Sequence, residues 1–260
     1  MFDAPLDLSR ACILLSNDDG IDANGLKTLE KIARTLSEDV WVVAPENEQS
    51  GASHSLTLRY PLRIRRLSER RFAVDGTPTD SVLLAVRHIM KDHPPDLVLS
   101  GVNRGGNLGE DVTYSGTIAA AMEGTLLGVP SIALSQMRGL DGPTRWATAE
   151  RHGPEVIRRL VSVAWQRNVF INVNFPDVPP QAVNEIAVTV QGRRKIGEPL
   201  EERVDPRGRP YYWIGNLRSD DPGEPDADLT AVNAGAIAVT PLYLDLTHRP
   251  MLETLRGVFA

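Results

Sequence analysis

Between Cys12 and residue 135 the chain alternates short apolar runs with stretches of helical period, and this alternation constrains the fold more than any other feature. "CILLS", "VWVVAP", "PDLVLSG" and "VPSIALS" have the length of strands and are apolar on both faces, and "NVFINVNFP" adds another further on. Between them, "NGLKTLEKIARTLSE" sets Leu26, Leu29, Ile32, Ala33 and Leu36 at helical spacing. "TPTDSVLLAVRHIM" opens with capping chemistry, and "SGTIAAAMEGTLLG" reads as a small-residue helix. Strands apolar on both faces must be covered on both faces, so the pattern predicts an α/β fold with a doubly wound, mostly parallel sheet. "LTLRYPLRIRRL" predicts strands bent at Pro61, and "PTRWATAERHGPEVIRRLVSVAW" a helix interrupted near Gly153-Pro154.

After Pro176 the texture changes to dense Pro, Gly and charge. "GEPLEERVDPRGRPYYWIGN" predicts a long hairpin with its turn at Asp205–Gly208 and the aromatics Tyr211, Tyr212 and Trp213 on its second strand. Such a hairpin cannot bury three adjacent aromatics on itself, so it packs as an extension or meets another subunit. "AIAVTPLYLDL" then predicts a strand that rejoins the body. The expected organisation is an α/β catalytic core over 1–175, an oligomerisation arm over 176–230, and a strand and tail over 231–260.

The 260 residues carry 34 acids against 28 lysines and arginines. That balance argues against a nucleic-acid polymer as partner, because phosphate contacts need clustered cations. Two local basic runs, Arg63, Arg65, Arg66, Arg70, Arg71 and Arg193, Arg194, Lys195, read as solvated faces. The single cysteine, Cys12, excludes an internal disulfide and reads as an inert buried thiol in a reducing compartment. No basic-then-apolar leader opens the sequence, and no apolar run approaches the roughly 18 residues of a membrane span. A cytoplasmic protein without a membrane partner is expected.

Sites of open parallel sheets lie in loops beyond the carboxyl ends of the strands. Three such loops here are rich in polar groups: "SNDDGID", "PENEQSGASHS" and "SGVNRGGNLGEDVTYSGT". Together they offer Asp18, Asp19, Ser50 and Asn103 as oxygen donors. Carboxylate, hydroxyl and amide oxygens suit a hard cation such as Mg2+ or Mn2+, which would offset the repulsion of adjacent acids; the plain alternative is a polar turn. Zinc is disfavoured, since His54, His88, His93, His152 and His248 show no Cys/His ligand spacing. Ser115, Gly116 and Thr117 open a helix, where they either bind phosphate or simply cap it. A cation beside a phosphate cradle suggests phosphate-ester hydrolysis; nucleotide binding without turnover is the alternative.

The stretches "LLSNDDGIDANGLKTL", "VVAPENEQSGASHSLTL", "VDGTPTDSV", "DLVLSGVNRGGNLGEDVTYSGTIAAAMEG" and "GVPSIALS" together resemble the SurE family of survival-protein nucleotidases and phosphatases. The resemblance implies a Rossmann-like core, a hairpin arm exchanged in a homodimer or tetramer, and one divalent metal ion per subunit. It implies hydrolysis of nucleoside 5′- and 3′-monophosphates, with short polyphosphate as a further substrate. Residue by residue, it places the metal on Asp18, Asp19, Ser50 and Asn103, and the phosphate on Asn17, Gly51, Ser115, Gly116 and Thr117. His54 matches a family histidine and is expected near the chemistry, with Asp18 and Asp19. Gly106 stands where the family often has proline.

Overall fold

The structure is a computed structural model, and it describes residues 5–139, 142–193, 200–214 and 223–259. Its elements run β1 (Ile13–Ser16), α1 (Asn24–Arg34), β2 (Val40–Pro45), β3 (Ile64–Ser68), β4 (Arg71–Val74), α2 (Pro78–Leu84) and β5 (Leu97–Arg104). They continue with α3 (Gly116–Leu126), β6 (Ser131–Gln136), α4 (Trp146–Leu160), β7 (Val169–Phe175) and β8 (Ile186–Val188). The chain ends with β9 (Glu201–Val204), β10 (Pro210–Trp213), α5 (Asp228–Asn233), β11 (Ile237–Tyr243) and α6 (Arg249–Val258).

The apolar runs become buried strands of one nine-stranded sheet ordered β3-β4-β2-β1-β5-β6-β7-β11-β8. From β4 to β7 all neighbours are parallel; β3 and β11 run antiparallel to β4 and β7. Helices cover both faces. Leu26, Leu29 and Ile32 of α1 pack with Val156 and Ile157 of α4 on one face. Val82 of α2 and Ala120 of α3 pack against Leu14, Val43 and Val98 on the other. Full burial of each such leucine or valine contributes about 1.5–3 kcal/mol. The helix α2 starts on a complete capping box, Thr77 with Asp80, and Pro78 in its first turn.

Chain order turns at β1. The chain leaves β1 for β2 and β4 on one side, then returns to lay β5, β6 and β7 on the other. The carboxyl ends of β1 and β5 therefore flank the crevice where doubly wound sheets bind ligands.

Three sequence expectations are corrected. The helix α4 runs unbroken through Pro154, since packing on both flanks of the proline, with Gly153 close against Ile32, outweighs one lost hydrogen bond. Residues 56–63 form no strand; Leu58 and Tyr60 point to solvent beyond the sheet edge. The tail after β11 closes on a helix, α6, whose N-cap is His248; its Nδ1 accepts the Met251 amide.

The predicted hairpin is the separate antiparallel pair β9–β10, whereas β8 joins the main sheet beside β11. In the first basic run Arg65 pairs with Glu46, Arg70 with Asp39 and Arg71 with Glu30. Arg194 and Lys195 of the second run lie outside the described residues. Among the described residues no helix is long and apolar enough to cross a membrane.

Candidate active site

At the carboxyl ends of β1 and β5 lies a cavity of about 300 Å3 lined by Asp18, Asp19, Ser50, Gly51, Asn103 and Ser115, with Glu48, Arg104, Asn107 and Tyr114. All four expected oxygen donors thus meet in one place. A larger groove, about 590 Å3, opens elsewhere around Leu6, Asp96, Trp165 and Arg167; Asp96 is the one carboxylate in its lining, so it lacks the paired acids of the crevice.

Each donor is held by its neighbours. Thr117 Oγ1 donates to Asp18 Oδ1, which ties the acid to the first turn of α3. A Cβ on Gly116 would lie 2.6 Å from Asp18 Cβ, so only glycine lets the helix approach this closely. Asn17 Nδ2 donates to Gly20 O at 2.9 Å and closes the turn that carries both acids. The Arg104 amide lies 3.4 Å from Asp19 Oδ2. Ser50 donates to Glu48 at 2.9 Å, which leaves its oxygen lone pairs available. Asn103 Nδ2 donates to Gly105 O at 2.9 Å, which leaves Oδ1 as an acceptor, and a register shift between Ser100 and Asn103 sets this end of β5.

The electrostatics favour a cation. Burial pushes the Asp18 carboxyl up to about 6, opposed by its bond from Thr117 and reinforced by the charge of Asp19. Burial also raises Asp19, against the Arg104 amide and with the charge of Glu48. Ser16 Oγ, Asn17 Oδ1 and Ser100 Oγ are buried without a hydrogen-bond partner at the same two strand ends. Two penalised carboxylates beside a hydroxyl and an amide oxygen are a hard-donor set that fits Mg2+ or Mn2+.

The residues expected to bind phosphate divide into two groups. Gly51 and Ser115 line the cavity, whereas Asn17, Gly116 and Thr117 stand behind it and support Asp18. Ser115 Oγ accepts the Ile118 amide as an N-cap, so capping accounts for one of its lone pairs. His54 does not line the cavity; its Nε2 is 2.9 Å from Glu123 Oε2 on α3.

Sequence reasoning missed the support of the glycine-rich loop. The Asn107 amide donates to Asn174 Oδ1 at 2.9 Å, and Asn107 O accepts from Asn172 at 2.8 Å and Asn174 at 3.1 Å. Asn107 Nδ2 donates to Ser135 at 2.8 Å. Asp228 receives the amides of Gly109 and Gly192, both at 3.0 Å. The legible signal was Asn172 and Asn174, two apart on one face of an apolar strand.

Fold and site together define a doubly wound α/β protein with an acid-lined, glycine-rich crevice at its switch point. The chain belongs to the survival protein SurE family, whose model matches residues 13–198. It is 62% identical over 253 residues to the 5′-nucleotidase SurE of Paramagnetospirillum magneticum, covering 97% of each chain. It is 58% identical to the 5′-nucleotidase SurE of Rhodospirillum rubrum, covering 100% of both. The crystal structure of the SurE protein from Aquifex aeolicus superposes with a TM-score of 0.84 at 38% identity, covering 95% of this chain and 99% of that one.

Proposed function

We propose that this chain is a divalent-metal-dependent nucleotidase that releases phosphate from nucleoside 5′- and 3′-monophosphates. The observation that carries the reading is the convergence of Asp18, Asp19, Ser50 and Asn103 on one cavity, in a chain so similar to proteins named 5′-nucleotidase SurE. Asp18, Asp19, Ser50 and Asn103 Oδ1 would hold one Mg2+ or Mn2+ per subunit. When bound, the cation supplies Lewis acidity and charge for phosphoryl transfer.

The chain's own groups do the rest. Thr117 and Gly116 fix Asp18, and Arg104 borders Asp19. Gly51, with a backbone at φ +76, and the Ser115 hydroxyl line the same cavity and would meet the phosphate there. The Arg104 guanidinium adds a positive charge that favours the dianion. Asp19 accepts the proton of the attacking water as the phosphorus–oxygen ester bond breaks, and the leaving nucleoside oxygen takes a proton from solvent. His54, paired with Glu123, holds the loop of Ser50 and Gly51 against α3. Short polyphosphate is a further substrate of the same site. The hairpin arm joins subunits into a homodimer or larger assembly, in a cytoplasmic setting.

Phosphate release from a panel of 5′- and 3′-monophosphates and short polyphosphate, after EDTA treatment and metal addition, tests this for wild type and Asp19→Asn. Metal-restored release that the variant lacks supports it. Metal and nucleotide binding without release by folded wild type would make the chain a binding protein instead. A phosphoryl group trapped on Asp18 or Asp19 would replace water attack by a covalent route.

A further inference from the structure

At the opposite, amino-terminal edge of the sheet, three chemically distinct side chains converge. Cys12 stands just before β1, Asp39 just before β2, and His93 in the connection from α2 to β5. A thiol sulfur, a carboxylate oxygen and an imidazole nitrogen from these residues all lie within 4.8 Å of one another. We propose that Cys12, Asp39 and His93 form a second cation site, remote from the nucleotidase crevice, that takes a thiophilic divalent ion, zinc above all. The inference does not rest on the proposed nucleotidase activity.

The donor set selects the ion. Sulfur, nitrogen and oxygen together suit zinc, whereas Mg2+ and Mn2+ prefer oxygen alone. Zinc bonds of about 2.0–2.3 Å put tetrahedral ligand atoms about 3.5 Å apart. His93 is the exposed member, 60% accessible at its side chain, so rotation of the ring meets no core packing and an entry path lies beside it.

The supports are those of a built site. Asp39 Oδ1 accepts Trp41 Nε1 at 3.0 Å and pairs with Arg70 at 3.0 Å, while Oδ2 faces His93 Nε2 at 2.5 Å. The carboxylate is thus anchored through one oxygen and presents the other, as metal-binding carboxylates do. The Arg70 guanidinium in turn lies 5.9 Å from the Trp41 ring. The Cys12 amide is fixed by Asp96 Oδ2 at 2.8 Å, which sets the residue's backbone and brings another negative charge close. With a thiolate present, Asp39 and Asp96 leave two negative charges in excess of Arg70, and a divalent ion cancels them.

Burial, with the charge and hydrogen bond of Asp39, otherwise holds the thiol protonated, up to about 12. Ion binding therefore releases the thiol proton to solvent. The hydrogen on His93 Nε2 moves to Nδ1, leaving Nε2 to bind. Three protein ligands leave the fourth position to solvent.

Cobalt(II) titration of the reduced full chain tests the site, because only a thiolate ligand gives the near-ultraviolet sulfur-to-cobalt charge-transfer band. The titration is run in Asp19→Asn as well as wild type, so that the oxygen-lined crevice does not compete. The expected result is a band in both proteins that saturates at a single equivalent in Asp19→Asn, is displaced by Zn2+ and is absent from Cys12→Ser. His93→Ala, an exposed change that leaves the core intact, is expected to lower Zn2+ affinity by at least about tenfold. Absence of the band in the folded wild type, or a band and Zn2+ affinity unchanged in His93→Ala, would overturn the proposal and leave Asp39 as the hub of a hydrogen-bonded ion pair.

Discussion

Thr117 Oγ1 donates its hydrogen to Asp18 Oδ1, so the first turn of α3 holds the acid that follows β1. The bond favours the ionised acid and opposes the effect of burial. Removing it with Thr117→Val should raise the Asp18 pKa. A hydrogen bond to a charged group contributes about 1.5–3 kcal/mol, or about one to two pH units. The acid limb of metal-dependent phosphate release should move to higher pH by up to that amount, and metal affinity near neutrality should fall. A pH profile read together with calorimetric Mn2+ binding checks both.

The same acid links pH to stability. Its folded pKa, about 6, lies above its ordinary 3.8, so the folded state holds the extra proton between those values. Metal-free protein should therefore lose stability as pH rises through that window, by on the order of 3 kcal/mol for this one group. Below about pH 4 the contribution is fully present, and above about pH 6 it is gone. Asp18→Asn should make the EDTA-treated protein more stable than wild type at neutral pH and flatten this part of the curve. Urea midpoints across the window, compared between the two proteins, measure the difference.

Asn174 joins β7 to the glycine-rich loop by accepting the Asn107 amide and donating to the Asn107 carbonyl. Asn174→Ala leaves the buried Asn107 amide without its acceptor, at a cost of about 1–3 kcal/mol, while the Asn107 carbonyl keeps its bond from Asn172. The melting temperature should drop by several degrees, at about 2–4 °C per kcal/mol for a domain of this size. The diagnostic readout is metal affinity at a temperature where the variant is fully folded. It should fall as well, because the loop that follows Asn103 loses its footing. A lowered melting point with unchanged Mn2+ affinity would confine Asn174 to a structural role.

These residues mark where the sequence was legible. The β/α alternation implied the parallel sheet, and loops with acids, amides and glycines were readable as its carboxyl-edge loops. Their convergence followed from topology alone. The supports were harder, because Asn172, Asn174 and Asp228 act from distant segments, and the two-residue spacing of Asn172 and Asn174 does not say which loop they hold. For the same reason, a Cys/His spacing search passed over Cys12 and His93, whose juxtaposition with Asp39 depends on three strand connections. The helix α6 was missed because it has no buried residue and hence no tertiary context to reinforce its pattern.

The hairpin arm makes the last prediction. Tyr211 and Trp213 share one face of β10, their ring centroids 6.4 Å apart in an edge-to-face pair, and Tyr212 points the other way. All three are exposed, as are Leu200, Val204 and Ile214 on the same arm. Asp205 Oδ1 stiffens the turn by accepting the amides of Arg207 and Arg209. A lone two-stranded hairpin is marginally stable in water, so the arm needs a surface to lie on. Another copy of the chain offers one under the proposed assembly. Replacing Tyr211 and Trp213 with serine removes apolar area while sparing every backbone bond of the hairpin. The variant should therefore keep its core stability but sediment at a lower mass than wild type. Equal masses by light scattering at matched concentration would show that these aromatics do not hold subunits together.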